Sequence, residues 1–155
     1  MPAKSKQVVI TRTFDAPIER LWNAFTKVED ILQWHSPVGM SNPHAESDLR
    51  VGGKYAISMK YDETGEIVIV RGIYKVIEKP SKLVYSWKWD GSEEETEVTV
   101  MFHPELGGKT LLTLIHSGFA LHPTASDLKN NWTHESHKAG WTTGFAKLAQ
   151  YVERN

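Results

Sequence analysis

The chain has 155 residues, a length typical of one domain, and we expect a single domain over residues 1–155. It has no cysteine, which excludes disulfides, thiolate metal sites and a cysteine nucleophile, and its formal charge of -1 gives no general attraction to nucleic acid or an anionic membrane. No apolar run reaches the ~20 residues of a membrane span and no signal sequence opens the chain, so we expect a cytoplasmic protein.

The first half of the chain predicts one strand and two short helices. Residues 7–14 are rich in β-branched side chains, which favours a strand. Apolar residues then recur at helical spacing after Asp15, a residue type that suits an N-cap, and residues 28–35 predict a second short helix. Residues 36–53 contain Pro, Gly, Asn and Ser and should be mostly loop or short strand.

The second half predicts antiparallel strands followed by one long helix. The strand segments, bounded by turn residues, are 54–61, 66–80, 82–90, 96–104 and 109–119. Near the C-terminus the period changes, because Trp141, Phe145, Leu148 and Val152 follow helical spacing on one face. Helices on one face of an antiparallel sheet make an α+β domain. A sheet that curves around the last helix would leave a cavity between the two.

Two motifs resemble sites for metal or phosphate but fail on spacing. In THESHKAGW (133–141), His134 and His137 are three residues apart, whereas a zinc-hydrolase helix needs four. We interpret both as solvated or helix-capping histidines. The stretch ELGGKT (105–110) ends like a phosphate-binding loop but lacks the first glycine and joins two predicted strands, so a turn is favoured. We therefore predict no metal and no cofactor.

His116 falls on the inward face of the last predicted strand, beside Leu112 and Leu114. A buried polar group there needs a hydrogen-bond partner or water. Three interpretations remain open: a structural histidine with satisfied hydrogen bonds, a group that orients a ligand, or an acid/base partner of a tyrosine. No nucleophile elbow or adjacent carboxylate supports catalysis, so we predict no catalytic residue and lean towards a non-enzyme.

The inward-facing aromatic residues form either an ordinary core or the walls of a ligand cavity. Ligand cavities are mostly apolar and contain a few polar groups that orient the ligand. The predicted ligand-binding residues are Trp34, His35, Tyr55, Met59, Tyr74, Tyr85, Trp87, His116, Phe119, Trp141 and Phe145.

An ordered series of motifs resembles the heat-shock protein 90 ATPase activator-homologue family of the START-like superfamily (polyketide cyclase/Bet v allergen-like, SRPBCC). The motifs are ITRTFDAPIERLWNAFT, DLRVGGKY, GIYKVIEKPSKLVYSWKW, EVTVMF, LLTLIHSGF and AGWTTGFAKLAQYV. The resemblance implies a helix-grip fold, in which a curved antiparallel sheet of about six to seven strands surrounds a long C-terminal helix and two short helices follow the first strand. In LQWHSP, His35 replaces one of the family's paired tryptophans.

The resemblance implies three classes of function. The favoured one is binding of a hydrophobic or aromatic small molecule between sheet and helix. The first alternative is a co-chaperone or stress-response protein that acts on a heat-shock protein 90-type ATPase, for example through the acidic segment 93–97. The second is a cyclase- or hydrolase-like enzyme. The segment 122–136, longer than the family pattern, is either a lid or an extra helical turn, and the protein is either a monomer or a homodimer.

Overall fold

The structure, a computed structural model, describes residues 6–130 and 132–154. This part of the chain contains eight strands and four helices. In chain order they are β1 (Lys6–Phe14), α1 (Ile18–Thr26), α2 (Val28–Trp34), β2 (Met40–Ser41), β3 (Ala45–Ser47), β4 (Lys54–Tyr61), β5 (Ile67–Glu78), β6 (Lys82–Trp89), β7 (Thr96–Glu105), β8 (Lys109–Phe119), α3 (Ala125–Lys129) and α4 (His134–Val152). The predicted α+β order is confirmed.

The strands form one curled antiparallel sheet in the order β1-β8-β7-β6-β5-β4-β2, with β3 paired to β4. Each strand from β4 to β8 lies beside the next one in sequence, and β1 closes the far edge against β8. The predicted helix-grip arrangement, with a curved sheet, a long C-terminal helix and two short helices after the first strand, is confirmed.

The register of the sheet brings the alternating inward residues of neighbouring strands together. Tyr74 on β5 pairs with Tyr85 on β6, and Val98 on β7 pairs with His116 on β8. Because side chains alternate between the two faces of a strand, this register produces one continuous buried face. Helix α4 covers that face with Phe145 and other apolar residues of its inner side.

The two ends of α4 are fixed by different side chains. Thr133 and Ser136 form a reciprocal capping box at the N-terminus, which satisfies two backbone N–H groups. At the C-terminus, Arg20 on α1 donates to the carbonyl oxygens of Tyr151 and Val152, both at 2.8 Å. A cation at a helix C-terminus also complements the helix dipole. In the described part of the chain, no helix has the length and apolar character needed to cross a membrane.

The predicted N-cap at Asp15 is wrong. Pro17 occupies the N-cap of α1, with extended backbone angles and no side-chain hydrogen bond. The backbone N–H of Asp15 instead donates to the Glu153 carboxylate at 2.9 Å. Asp15 lies two residues before the N-cap, and its backbone contributes to the contact between the two ends of the chain.

Candidate functional site

A pocket of about 570 Å³ opens between the N-terminal half of α4, the loop between α2 and β2, and strands β4 to β6. This volume lies within the usual range of small-molecule sites. Five of the six tryptophans line it, namely Trp34, Trp87, Trp89, Trp132 and Trp141. The sixth, Trp22, packs edge-on against Phe102 elsewhere in the core.

The tryptophan rings form a continuous wall. Trp132 stacks on Trp89 with the planes 1° apart and the centroids 5.9 Å apart. Trp89 meets Trp87 edge-on at 5.5 Å, and Trp87 contacts Trp141 at 5.2 Å. Aromatic pairs at such distances add stability beyond the burial of their area. The wall therefore presents both ring faces and ring edges to the pocket.

Trp141 is held by a hydrogen-bond chain through the sheet. Its indole N–H donates to Nδ1 of His116 at 3.0 Å, and His116 Nε2 lies 2.7 Å from the hydroxyl of Thr96. The Thr96 hydroxyl donates in turn to the carbonyl of Trp87 at 3.2 Å. Burial and the nearby His137 lower the pKa of His116 well below its usual value. A neutral ring that accepts at Nδ1 and donates at Nε2 completes this chain.

Trp89 is held in a similar way by His137 on α4. The Trp89 indole N–H donates to His137 Nε2 at 2.9 Å, and His137 Nδ1 donates to the backbone carbonyl of Thr133 at 2.6 Å. Burial lowers the pKa of His137 to about 4, so the ring is neutral near pH 7. The prediction that both histidines of this stretch are solvated or cap the helix is wrong for His137, which is buried among aromatic rings.

His35 lies at the end of α2, in the wall of the pocket, and is 3% exposed. Its ring stacks near Trp87 at 5.9 Å with the planes 24° apart, and it meets the edge of Trp141 at 5.3 Å. Burial lowers the pKa of His35 to about 4, partly opposed by a hydrogen bond that the ring donates to its own backbone carbonyl. The ring is therefore an uncharged polar group in an aromatic surrounding.

Lys147 anchors the loop that forms the opposite side of the pocket. Its ammonium group donates to the Ser36 hydroxyl at 2.8 Å and to the Met40 carbonyl at 3.0 Å. Desolvation lowers the pKa of Lys147, and the nearby Asp62 opposes this shift. The lysine thus holds the loop from α4.

The segment 122–136 contains α3 and the first turn of α4 and places Trp132 over one side of the pocket. The carboxylate of Asp127 on α3 is buried and accepts a hydrogen bond from Ser92 at 3.1 Å. The backbone N–H of Trp132 donates to the Asp127 carbonyl at 2.8 Å. These contacts fix the segment against the turn between β6 and β7.

The predicted ligand-binding residues divide between the pocket and the core. The residues that line the pocket are Trp34, His35, Met59, Trp87 and Trp141. The residues outside its lining are Tyr55, Tyr74, Tyr85, His116, Phe119 and Phe145.

The three tyrosines form a separate cluster with centroid distances of 5.2 to 6.2 Å. Tyr55 donates to the Ser86 carbonyl at 2.6 Å, and the Tyr74 hydroxyl pairs with Ser47 at 2.7 Å. Burial raises the pKa of Tyr55, with a further contribution from Tyr85. These phenols therefore stay protonated and hold β3, β4, β5 and β6 together.

Phe119 and Phe145 lie outside the pocket lining and pack against different neighbours. Phe119 packs against the rings of His116 at 4.5 Å and His137 at 4.8 Å. Phe145 packs into the core below, against Phe14 at 5.8 Å. Both support the pocket wall from behind.

Trp89, Trp132 and His137 line the pocket without having been predicted to bind a ligand. Trp89 follows Trp87 at the spacing of two that marks one strand face, so alternation was a usable signal for it. His137 lies four residues before Trp141, on the same helix face. Trp132 follows no periodic pattern, and nothing in its surrounding sequence indicates its position.

Two sequence motifs that resemble metal or phosphate sites, residues 133–141 and 105–110, take other roles in the fold. Within residues 6–130 and 132–154, no group of three or more His, Asp or Glu side chains is placed to hold a metal ion. Residues 105–110 form the turn between β7 and β8, with Gly107 and Gly108 at positive φ, as the sequence predicted.

A family model described as Activator of Hsp90 ATPase homolog 1-like protein matches residues 15–153. Among solved structures, protein CV1439 from Chromobacterium violaceum has a TM-score of 0.80 at 22% identity, covering 96% of this chain and 99% of that one. The AHSA1 protein from Silicibacter pomeroyi has a TM-score of 0.74 at 24% identity, covering 96% and 98%. DynU16, a putative protein in the dynemicin biosynthetic locus, has a TM-score of 0.69 at 20% identity, covering 95% and 47%. No curated protein matches the chain.

Proposed function

The chain belongs to the family of Activator of Hsp90 ATPase homolog 1-like proteins, and we propose that it is a binding protein for a small, mainly apolar molecule. The ligand occupies the pocket between the N-terminal half of α4 and strands β4 to β6. Binding requires no chemical step from the protein.

The observation that carries this proposal is the concentration of five tryptophans around one opening. An ordinary core of this size buries its aromatic rings against each other and against aliphatic side chains, as Trp22 and Phe102 do. Here Trp89 and Trp132 are only half-buried, and together with the buried Trp34, Trp87 and Trp141 they line a pocket of about 570 Å³. Apolar surface in contact with water costs free energy, which a ligand of matching shape recovers.

The pocket is also built to keep its shape. Trp141 and Trp89 are each fixed by a hydrogen bond to a buried histidine, at 3.0 and 2.9 Å. Lys147 fixes the loop on the other side. A site that is ordered before binding loses less entropy when the ligand arrives, which favours affinity.

The link of this chain to Hsp90 rests on the family's name, whereas the pocket is a feature of its own side chains. Ligand binding is therefore the function for which the described residues supply an argument. A cyclase-like activity through His116 and a tyrosine has less support, because both ring nitrogens of His116 are engaged by Trp141 and Thr96.

Tryptophan fluorescence and thermal unfolding test the proposal directly. Five of the six tryptophans line the pocket, so a bound aromatic or aliphatic ligand should change the intensity or wavelength of the tryptophan emission. A ligand at 100 times its Kd should add roughly 2.7 kcal/mol to the free energy of unfolding. A panel of fatty acids, sterols and polycyclic aromatic compounds covers the chemistry that such a wall accepts.

Two valine variants provide a matched comparison. Val38 lines the pocket and is 71% exposed, so Val38→Trp should obstruct the opening without disturbing the core. Val51 is 64% exposed and lies outside the pocket lining, so Val51→Trp is the control. Ligand effects should weaken in the first variant only. If no compound in the panel shifts fluorescence or melting of the wild-type protein, the proposal fails.

A further inference from the structure

Several polar groups of the pocket wall are occupied by protein partners. The indole N–H of Trp34 donates to the Ala24 carbonyl at 2.8 Å, and those of Trp89 and Trp141 donate to histidines. The Ser36 hydroxyl accepts from Lys147 and donates to a backbone carbonyl. The three indole N–H groups and the Ser36 hydroxyl proton therefore cannot donate to a ligand without losing an existing bond.

His35 is different. Among the described residues, no other residue hydrogen-bonds its ring, although the side chain is 97% buried and lines the pocket. The fully buried polar atoms without a partner are Trp87 Nε1 and His134 Nδ1, and the ring nitrogens of His35 are not among them. At least one ring nitrogen of His35 is therefore accessible rather than sealed inside the core, and the residue lines the pocket.

The protonation state of His35 decides what it can bind. Burial lowers its pKa to about 4, so near pH 7 the ring carries one N–H and one lone pair. The ring N–H donates to the backbone carbonyl oxygen of His35 itself, and this bond opposes the lowering of the pKa by burial. The remaining lone pair receives no hydrogen bond from any other described residue, so a ligand in the pocket can supply the donor.

The charges around the pocket favour an uncharged ligand. Glu63, on the exposed turn between β4 and β5, is the charged residue in the described lining. The ammonium group of Lys147 is directed to Ser36 and Met40 instead. A carboxylate ligand would therefore lose its hydration without meeting a cation, which is unfavourable in an apolar site.

We propose that the ligand is a flat, uncharged aromatic molecule with a hydroxyl group, and that this hydroxyl donates a hydrogen bond to the His35 ring. The aromatic part lies against the tryptophan wall, where Trp87 and Trp141 flank the histidine at 5.9 and 5.3 Å. This inference rests on the proposed function and adds the chemical class of the ligand. His35 acts as a specificity-determining residue and takes no part in catalysis.

The test compares β-naphthol with its methyl ether, which keeps the ring and the oxygen but cannot donate a hydrogen bond. Affinities are measured by tryptophan fluorescence and calorimetry near pH 7 for the wild-type protein and for His35→Phe. In the wild type β-naphthol should bind roughly threefold to tenfold more tightly than the ether. In His35→Phe this ratio should fall close to one, while the affinity for the ether stays nearly unchanged.

Nitrogen NMR of the wild-type histidine rings gives a second readout that does not depend on the variant's folding. The unprotonated nitrogen of His35 should shift on adding β-naphthol and stay in place on adding the ether. Equal affinity for both compounds with no shift at His35 overturns the inference and leaves the proposed function standing. Absence of binding by either naphthalene also overturns it, and the wider panel then decides the proposed function separately.

Discussion

The indole N–H of Trp141 on α4 donates to Nδ1 of His116 on β8 across a distance of 3.0 Å, in the buried interior between helix and sheet. This bond joins two elements that are 25 residues apart in sequence. The bond fixes the rotamer of Trp141, which lines the pocket. It also fixes the tautomer of His116, which lies outside the pocket lining. The pocket wall therefore depends on a residue behind it.

The first prediction concerns this bond. Trp141→Phe removes the donor and leaves the buried lone pair of His116 unpaired, which should lower the free energy of unfolding by about 1–3 kcal/mol beyond the lost ring area. His116→Phe breaks the same bond from the other side. Urea unfolding of both single variants and of the double variant gives the coupling energy.

We expect a coupling energy of roughly 1 kcal/mol, because the effects of substituting two directly bonded residues on the free energy of unfolding are not additive. Trp22→Phe serves as a control for the loss of a buried indole ring away from the pocket, and it should be additive with His116→Phe. A coupling near zero between Trp141 and His116 would contradict the geometry.

The second prediction is that acid destabilises the protein. His35 and His137 have pKa values lowered from 6.5 to about 4, because burial disfavours the charged ring. Between these values the unfolded chain binds more protons than the folded one, so stability decreases as the pH falls from 6.5 towards 4. Each histidine should contribute up to about 1.4 kcal/mol per pH unit within this window.

Denaturant unfolding at several pH values between about 7.5 and 4, chosen to span this window, measures the slope. In the variant His137→Gln the side chain at position 137 cannot titrate. The slope of its unfolding free energy against pH should therefore be shallower than that of the wild type by roughly the contribution of one histidine. His44 is exposed and pairs with Glu46 on the surface, which makes His44→Gln the matched control. Identical slopes for all three proteins would show that the buried histidine is not neutral in the folded state.

The strands were predictable from sequence because their side chains alternate with a period of two. The segments 54–61 and 109–119 match β4 and β8 at both ends, and Tyr85 and Trp87 point inward as alternation requires. Alternation identifies the inward-facing residues of a strand, but it cannot tell which of them pack in the core and which line a pocket. Tyr85 therefore joined the tyrosine cluster, while Trp87, two residues along the same face, lines the pocket.

Other parts of the site depend on contacts between segments that are distant in sequence. Trp132 reaches Trp89 because α3 docks through Asp127 on Ser92, and no local pattern encodes that docking. His137 was predicted to be solvated or to cap the helix, although it lies four residues before Trp141 and therefore close to the buried face in sequence phase. In the fold its phase on α4 matches that of Trp141, so tertiary packing decides its burial.

The third prediction concerns the docking of α3. Ser92→Ala removes the hydrogen bond to the buried Asp127 carboxylate and should release α3 and Trp132 from the pocket. Amide hydrogen exchange in residues 124–132 should become faster by roughly tenfold or more, while the midpoint of global unfolding changes little. Ser81→Ala, which removes an exposed turn hydroxyl, should leave this exchange unchanged. Unaltered exchange after Ser92→Ala would mean that the stack of Trp132 on Trp89 is sufficient to hold the segment.

The last prediction concerns Gly72, which faces Tyr55 in the pairing of β4 and β5. A Cβ at this position would lie 1.9 Å from the Ser86 carbonyl oxygen and 2.5 Å from the Tyr55 ring. The Tyr55 ring crosses over Gly72 to donate to that same carbonyl, so neither neighbour can retreat without breaking their hydrogen bond. Overpacking of this kind costs about 3 kcal/mol or more.

Gly72→Ala should therefore lower the denaturant midpoint strongly. Gly140→Ala is the contrasting variant, because its Cβ would lie 3.3 Å from the Pro37 side chain within a helix that favours alanine by about 1 kcal/mol. We expect the second change to be close to neutral, as gain in helix propensity offsets the tight contact. If Gly72→Ala were equally neutral, β4 and β6 could not both lie where the Tyr55–Ser86 bond places them.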